Sequence, residues 1–305
     1  MSDHAADLAA LVIGSAAGGG FPQWNCACRL CRLCRAGDPR IRPATQVGVA
    51  VSADAGHSWL LVGASPDLRQ QIVATPALAP REGSRSSPIT AVVLLSADVD
   101  GIAGLLVLRE GHRFDVLAPA PMLDVLAANP VFGALDPALV RRVPVAPGIP
   151  HDCAGGIRLT LLEMPGKVPL YLEDRAAAAP EAGPAYAARI EAHGRVLIVA
   201  PACAAITEEV RDRLAGADAL LFDGTLYKDE EMQEAGVGAK TGRRMGHAPI
   251  TGAGGSLDFL AGLPGRRIYY HINNTNPILL EGSPERREVE RAGIEVAHDG
   301  MEVRL

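Results

Sequence analysis

The sequence contains no apolar run close to the roughly 18 residues that a membrane-spanning helix needs, so we expect no membrane span. It also lacks an excess of basic residues, because 29 Lys and Arg stand against 35 Asp and Glu and give a net charge of −6. This balance argues against nucleic acid as the main partner. Aromatic residues make up only 4% of the chain, so the core is expected to rest on Ala, Val and Leu. The acidic residues before the first short apolar run are unlike a secretory signal, and we expect a cytoplasmic protein.

Cysteine is scarce as well, yet four of the six cysteines fall within nine positions: Cys26, Cys28, Cys31 and Cys34. A C-x-C-x2-C spacing lets local chain folding bring three thiolates to one ion, whereas it is too tight for a set of ordinary disulfides. No place for a bound water is evident, so we predict a structural zinc in a loop at residues 24–35. Reactive thiols and plain packing are the alternatives. Cys153 and Cys203 have no spacing partner and are expected to be buried apolar thiols.

Apolar strand patterns alternate with helical patterns along both halves of the chain. TQVGVAVSAD and SWLLVGAS, separated by a turn at 54–56, predict a hairpin, and TEEVRDRLAG predicts a helix. Together these patterns favour an α/β fold with a mixed sheet covered by helices on both faces. No boundary divides the chain convincingly, so we predict one domain over 1–305. The Ala/Pro-rich stretch 173–185 is expected to be an exposed loop.

Polar groups follow four of the apolar strands, where α/β folds commonly place their sites. These groups lie at 96–101, 166–167, 223–225 and 271–277. An Asp after a strand is often a helix N-cap, and a lone His at a strand end is often a satisfied core group. Four such positions in this order nevertheless favour a shared site. The glycine-rich loop at 14–20 does not match G-x-G-x-x-G, so close passage beside a metal or substrate is favoured over phosphate binding.

This order of strand ends resembles the metallo-β-lactamase fold, whose first metal motif is H-x-H-x-D-H. The sequence is more closely similar to the coenzyme PQQ synthesis protein B family over nearly its full length. The resemblance runs through GSAAGGGFPQWNCACRLC, DVDGIAGLLVLREG, EEMQEAGVGAKTGRRMGH and HINNTNPIL. It implies a metallo-β-lactamase-like αββα sandwich of two mixed β-sheets flanked by helices.

The resemblance also implies which residues occupy the two metal positions of the fold. The H-x-H pair of the first position falls on Ser96 and Asp98, and its third histidine falls on Lys167. A cationic lysine does not readily bind a divalent ion, so the first position is expected to be dismantled. The second metal position includes Asp100.

At the second position, the motif histidine is replaced by Gly101, while the later histidine is kept as His271. Asp223 stands where the fold has a bridging carboxylate. The family is similar to non-haem iron enzymes, so the implied cofactor is Fe2+ held by Asp100 and His271, with Asp98 or Asp223 completing the site. We expect weaker iron binding than in relatives that keep the histidine, unless His247 or His298 replaces it. The alternative is a chain without this metal.

The resemblance places the fourth zinc ligand at Asn274, with Cys34 as a local competitor. One ion would then tie the N-terminal loop to the loop that carries His271 and help to position it. The implied substrate-binding residues are Lys167, Lys240, Arg243, Arg244, His247 and Asn273. The basic turn around Arg243 is either a clamp for carboxylates or a solvated surface.

The implied function is pyrroloquinoline quinone (PQQ) biosynthesis, through iron- and O2-dependent hydroxylation of the tyrosine ring of a small glutamate–tyrosine precursor. A binding or carrier protein that moves PQQ or its precursor toward the periplasm is one alternative. A metal-dependent hydrolase is another, although Ser96 and Lys167 argue against it. Other proteins of the PQQ pathway and a second copy of the chain remain open as partners.

Overall fold

In a computed structural model of the protein, the described residues are 7–81, 83–169, 171–172 and 183–305. The predicted loop at 173–185 lies outside them as far as residue 182, and its last three residues begin a strand. Within the described residues the strands are β1 (Ala9–Gly14), β2 (Gly48–Ser52), β3 (Trp59–Val62), β4 (Ile89–Val93), β5 (Phe114–Ala118), β6 (Val140–Pro144), β7 (His151–Asp152), β8 (Arg158–Gly166), β9 (Gly183–Ala192), β10 (Arg195–Ala200), β11 (Ala219–Asp223), β12 (Arg266–Tyr270), β13 (Glu295–Val296) and β14 (Glu302–Arg304).

The α-helices of the same residues are short: α1 (Arg29–Arg35), α2 (Leu68–Ala74), α3 (Val99–Ile102), α4 (Ala120–Ala128), α5 (Glu208–Leu214), α6 (Glu231–Glu234), α7 (Leu257–Ala261) and α8 (Pro284–Arg291). Short 3-10 helices cover Pro76–Leu78, Ala103–Arg109, Pro130–Ala134, Ala154–Gly156, Arg243–Met245 and Pro277–Leu279. None of the described helices has the length and apolar character needed to cross a bilayer.

The strands of the described residues form two mixed sheets, each with an antiparallel and a parallel region. In the first sheet the order is β14-β1-β2-β3-β4-β5-β6, and in the second it is β13-β12-β11-β10-β9-β8-β7. The predicted hairpin is confirmed, because β2 and β3 pair antiparallel with Val51 opposite Leu60. Each sheet also has a parallel region, β3 to β6 in the first and β10 to β13 in the second. The carboxyl ends of these parallel strands carry the polar residues considered below.

Helices and sheets are stacked in four layers around two apolar clusters. The larger cluster joins the facing sides of both sheets, with Val49 and Val92 from the first and Leu161 and Leu221 from the second. The smaller cluster packs the other face of the second sheet against α5, α7 and α8. The strand β11 is buried along its whole length, as expected for a parallel strand covered on both faces.

The predicted helix TEEVRDRLAG forms α5 for identifiable local reasons. The hydroxyl of Thr207 accepts a hydrogen bond from the Val210 N–H at 3.2 Å and so caps the first turn. Val210 and Leu214 are one turn apart and form the buried face. Basic residues in the last turn favour the negative end of the helix dipole.

A short segment after β1 joins the two sheets. Ala16 forms bridges to Gln46 of the first half and to Ile272 of the second. The neighbouring carboxylate of Asp299 accepts hydrogen bonds from Ser15 and Thr45 at 2.7–2.9 Å and holds this segment in place. The N-terminal loop and the loop after β12 therefore lie side by side.

Candidate functional site

Three cysteine sulfurs meet at the start of α1. The Sγ atoms of Cys26, Cys28 and Cys31 lie within 4.8 Å of one another. Cys28 is the N-cap of α1 and Cys31 is one turn further on, so the helix itself turns both sulfurs to one side. Cys34 does not join this group, although it packs in the same small apolar cluster.

Asn274, from the loop after β12, fills the fourth side of the sulfur cluster. Its Nδ2 lies 3.2 Å from the Sγ of Cys26, 3.7 Å from that of Cys28 and 3.4 Å from that of Cys31. Rotation of the amide by 180° would present Oδ1 at the same place. The structure thus brings together the four residues predicted to bind the structural zinc. Cys34, the last cysteine of the N-terminal motif, is not beside them.

The three sulfurs match the donor set of a metal site, although burial favours the protonated thiol at one of them. Burial raises the pKa of Cys31 to about 12. Burial acts in the same direction on Cys28, but hydrogen bonds from the Cys31 backbone and from the neighbouring thiols lower its pKa overall. A bound ion therefore has to displace a thiol proton at Cys31. Three thiolates and one further ligand, with no open position, are typical of a structural zinc site.

Most of the other predicted site residues converge on one cavity between the carboxyl ends of the strands. The cavity has a volume of about 520 Å³. The predicted residues that line it are Asp98, Asp100, Gly101, Lys167, Lys240, His247, His271 and Asn273.

His271 and Asp100 face each other across part of this cavity. Asp100 stands in the first turn of α3, and His271 follows β12 with a positive φ of 58°. Few residues other than glycine adopt this conformation, and it is often found at functional sites. The Nε2 of His271 lies 3.7 Å from Oδ2 of Asp100. Burial alone would raise the pKa of Asp100, but its polar neighbours, His271 foremost, outweigh burial and lower the pKa. Positive charge between the two groups is therefore favourable.

Thr225 fixes the orientation of two histidine rings. Its Oγ1 lies 2.6 Å from Oδ1 of Asp223, 2.7 Å from Nδ1 of His271 and 3.1 Å from Nδ1 of His247. Because the hydroxyl donates its one hydrogen to Asp223, it accepts from the His271 ring, which assigns the Nδ1–H tautomer to His271. The lone pair of its Nε2 then faces Asp100. Two acceptors 3.7 Å apart leave room for an ion about 2.1 Å from each, so this pair fits a metal.

Asp223 acts on the second histidine. Its Oδ2 accepts hydrogen bonds from His247 Nδ1 at 2.8 Å and from the Cys203 N–H at 2.9 Å. Its Oδ1 accepts two more from the backbone and side chain of Thr225. Asp223, His247 and His271 place one candidate ligand atom each within 4.8 Å of one another. Because both oxygens of Asp223 are already engaged, the carboxylate is better placed to hold His247 than to bind an ion.

The charge of Asp223 also alters His247 itself. Burial opposes protonation of this ring, but the neighbouring carboxylate outweighs it and raises the pKa of His247. The rings of His247 and His271 stack with centroids 5.0 Å apart. His247 thus lies beside the facing pair of Asp100 and His271. His298, the other candidate replacement ligand, is exposed and does not line the cavity.

Lys167, which the resemblance places at the first metal position, lies beside Asp98. Lys167 Nζ lies 4.0 Å from Oδ1 of Asp98. Burial raises the pKa of Asp98, and the charge of Lys167 opposes that shift only in part. Asp98 does stand at the N-cap of α3, but no capping hydrogen bond from its side chain is found among the described residues. Its Oδ1 is directed toward Lys167 instead. The amino group of Lys167 thus lies beside Asp98 in the lining of the cavity.

The predicted basic turn divides into two parts. Lys240 is exposed and lines the cavity, at its rim. Neither Arg243 nor Arg244 is among the described residues that line it. The Arg243 guanidinium donates to the Ala253 carbonyl, and its backbone N–H donates to Asp229 at 2.8 Å. Carboxylate binding by these two arginines stays a prediction that the cavity geometry does not support.

Sequence reasoning missed two residues that organise the site. The sequence marks Thr225 only as part of a strand end, yet its hydroxyl contacts both histidines. Glu231 lies in the highly charged run KDEEMQE but is 7% exposed, behind the cavity wall. No local pattern distinguishes Glu231 from its exposed neighbour Glu234.

The fold and the polar strand ends define a protein of the beta-lactamase superfamily, and a model of the beta-lactamase superfamily domain matches residues 58–272. Over 303 residues the chain is 54% identical to coenzyme PQQ synthesis protein B of Methylobacterium nodulans, covering 98% of this chain and 100% of that one. Identity to the protein of the same name from Gluconacetobacter diazotrophicus is 49% over 302 residues, with 96% of this chain and 98% of that one covered. The chain belongs to the coenzyme PQQ synthesis protein B family.

Solved structures agree with this assignment. The crystal structure of Zn2+-bound PqqB from Methylobacterium extorquens matches with a TM-score of 0.94 at 49% identity, covering 97% of this chain and 100% of that one. A diphosphatase of the PhnP family matches with a TM-score of 0.70 at 19% identity, covering 98% and 97%, and shares the fold. The predicted fold class and the family resemblance are both confirmed.

Proposed function

We propose that the protein acts in PQQ biosynthesis, as an iron- and O2-dependent hydroxylase of the tyrosine ring in a glutamate–tyrosine precursor. The observation that carries the proposal is the facing pair of Asp100 and His271 in a cavity large enough for a small molecule. Membership of the family supports the pathway. Ser96 and Lys167 at the first metal position leave no second ion for a two-metal hydrolase.

In this proposal Asp100 and His271 would hold Fe2+, and Gly101 offers no side-chain ligand where relatives of the fold have a histidine. The iron, when bound, supplies the activation of O2 that ring hydroxylation needs. Thr225 holds the His271 ring so that Nε2 faces the cavity. Asp223 does the same for His247, whose ring packs against His271.

The remaining residues bind and orient the substrate. Lys167 and Lys240 supply positive charge for its carboxylates, from inside the cavity and from the rim. Pro119, Met122 and Tyr186 provide an apolar wall for a ring. We also propose Zn2+ in the sulfur cluster, where it ties the N-terminal loop to the segment that carries His271; the Zn2+-bound relative supports this.

The test is oxygen insertion into the cross-linked glutamate–tyrosine diamino acid, followed by mass spectrometry under 18O2 with Fe2+ and a two-electron reductant such as ascorbate added, because one atom of O2 enters the ring and the other is reduced to water. We expect a labelled oxygen in the product, and a loss of on the order of 100-fold or more in His271→Ala and Asp100→Ala. His298→Ala, an exposed histidine outside the cavity, is the matched control and should keep full activity. Protein that binds iron and the diamino acid but leaves the ring unchanged would refute the hydroxylase.

A further inference from the structure

A chain of three hydrogen-bonded polar side chains lies in and behind the cavity wall, and neither metal position uses it. Glu231, Thr275 and Asn273 are 7%, 8% and 9% exposed. Thr275 Oγ1 donates to Oε1 of Glu231 at 2.6 Å, and Asn273 Nδ2 donates to Thr275 Oγ1 at 2.7 Å. The other oxygen of Glu231 accepts from the Tyr227 N–H at 2.6 Å. Buried polar groups linked in this way hold a single arrangement.

The direction of these hydrogen bonds is fixed by their buried end. A carboxylate only accepts, so the one hydroxyl hydrogen of Thr275 points to Glu231. The Thr275 oxygen can then only accept, and it does so from the amide N–H of Asn273. The amide of Asn273 therefore has one orientation, with Nδ2 turned to Thr275 and Oδ1 on the opposite branch.

The free end of the chain reaches the cavity. Asn273 lines the cavity, and no hydrogen bond to its Oδ1 is found among the described residues. That oxygen is also not one of the buried polar atoms left without a partner, so it is accessible from the cavity. The Asn273 N–H donates to the Thr225 carbonyl at 3.0 Å, which places Asn273 next to the residue that orients His271.

The charge at the buried end determines what the free end prefers. A chain of aligned hydrogen bonds that ends in a carboxylate polarises its members, so Oδ1 becomes a stronger acceptor. Such an oxygen favours a cationic N–H donor and disfavours a carboxylate. Burial raises the pKa of Glu231 to about 7, so the carboxylate form of the chain prevails above neutral pH.

We propose that Asn273 Oδ1 binds a protonated primary amine of the substrate, and that Thr275 and Glu231 are positioning residues for it. The inference rests on the proposed function, because the precursor is derived from amino acids and carries such amines. It divides the cavity into an amine-binding side at Asn273 and a carboxylate-binding side at Lys167 and Lys240.

The test compares L-tyrosine with 3-(4-hydroxyphenyl)propanoate, which differs only in lacking the amine. Binding of each to the purified, metal-loaded protein is measured at pH 8 by calorimetry or ligand-observed NMR. We expect Thr275→Val and Glu231→Gln to lower the affinity ratio of tyrosine to propanoate by about tenfold, the effect of one charge-assisted hydrogen bond. Thr275→Ser keeps the hydroxyl and should keep the wild-type ratio.

The ratio cancels effects on the carboxylate that both ligands share, and Thr275→Val breaks the hydrogen-bonded chain without any change of charge. Thermal melting of each variant checks folding, and Glu231→Gln provides a second break in the chain if Thr275→Val unfolds. An unchanged ratio in both variants would overturn the inference while leaving ring hydroxylation intact. If neither ligand binds the wild-type cavity, the inference and the substrate role of the cavity both fail.

Discussion

The sulfur cluster and the cavity both bring candidate ligand atoms together, but they do so by different structural means. In the cluster, three of four candidate ligands come from six consecutive positions and only Asn274 is remote. In the cavity, the polar groups come from several strand ends and loops that are remote in sequence, and the rings of His247 and His271 are oriented by the buried Thr225. The cluster therefore depends on local chain folding, whereas the cavity depends on the correct packing of both sheets.

This difference predicts where the two sites are vulnerable. Loss of a cluster ligand should release an ion and weaken the fold, because the ion would join the N-terminal loop to the loop after β12. Loss of a cavity ligand should affect chemistry and leave the fold intact, since the sheets hold the cavity open. Functional sites commonly contribute little to stability in this way.

The largest effect is expected for Cys31→Ser. Cys31 is buried and is one of three sulfurs around the Asn274 amide, so the change should reduce bound zinc from one ion per chain to none. We expect the free energy of unfolding to fall by about 3 kcal/mol or more. Elemental analysis and denaturant unfolding measure the two quantities.

Cys34→Ser is the matched control, because Cys34 lies on the same helix but outside the cluster. It should keep the ion. Equal loss of zinc from both variants would contradict the assignment of Asn274 as the fourth ligand and favour Cys34.

A smaller effect is expected behind the cavity wall, and it depends on pH. The pKa of Glu231 is raised from 4.5 to about 7 in the folded protein, mainly by burial. The folded state then holds a proton that the unfolded state has already lost, so this group makes stability fall as pH rises from about 4.5 to about 7. Glu231→Gln removes the dependence, and its stability relative to the wild type should rise by roughly 2–3 kcal/mol across that window.

Urea unfolding at several pH values measures this difference. Glu234→Gln, an exposed change on the same helix, should stay within about 0.5 kcal/mol of the wild type throughout. A Glu231→Gln difference that does not vary with pH would mean that Glu231 is not buried as an acid.

The smallest free-energy change is expected for Gly101→His, which adds the missing ligand at the second metal position. The affinity for Fe2+ should increase on the order of tenfold, because a third protein ligand replaces water. An added Cβ would lie 3.2 Å from Ser96 Oγ and 3.3 Å from the Ser96 carbonyl, so Ser96 must shift slightly.

Gly101→Ala carries the same steric cost without the ligand and is the matched control. Iron titration followed by the spectrum of the nitric oxide adduct measures binding without turnover. If histidine adds nothing beyond alanine, then His247 already supplies the third ligand, or the metal lies elsewhere.

The extent to which the sequence predicts each site follows from the same contrast. The C-x-C-x2-C spacing alone predicts the sulfur cluster, because helical geometry turns Cys28 and Cys31 to one side. The strand and helix patterns predict the hairpin of β2 and β3 and the helix α5, since both depend on neighbours in the chain. The proximity of Asp100 and His271 is predicted only from the resemblance to a known fold.

What the sequence does not predict depends on long-range packing. Glu231 is buried because α6 packs behind the loop after β12, and no periodicity in KDEEMQE indicates this. Arg243 is adjacent in sequence to cavity residues, yet its guanidinium turns to the Ala253 carbonyl. Thr225 acquires its role only when two histidines from separate loops reach its hydroxyl.

The bridges made by Ala16 have a consequence for how a molecule enters. One residue pairs with the ends of both sheets, and the Ala17 N–H and Ile272 N–H add two more backbone bonds at 2.9 and 3.0 Å. Separation of the two sheets would break these backbone contacts and also the hydrogen bonds of Asp299 that support them. We therefore expect a ligand to enter by movement of side chains at the cavity rim, such as Lys240, without separation of the two sheets.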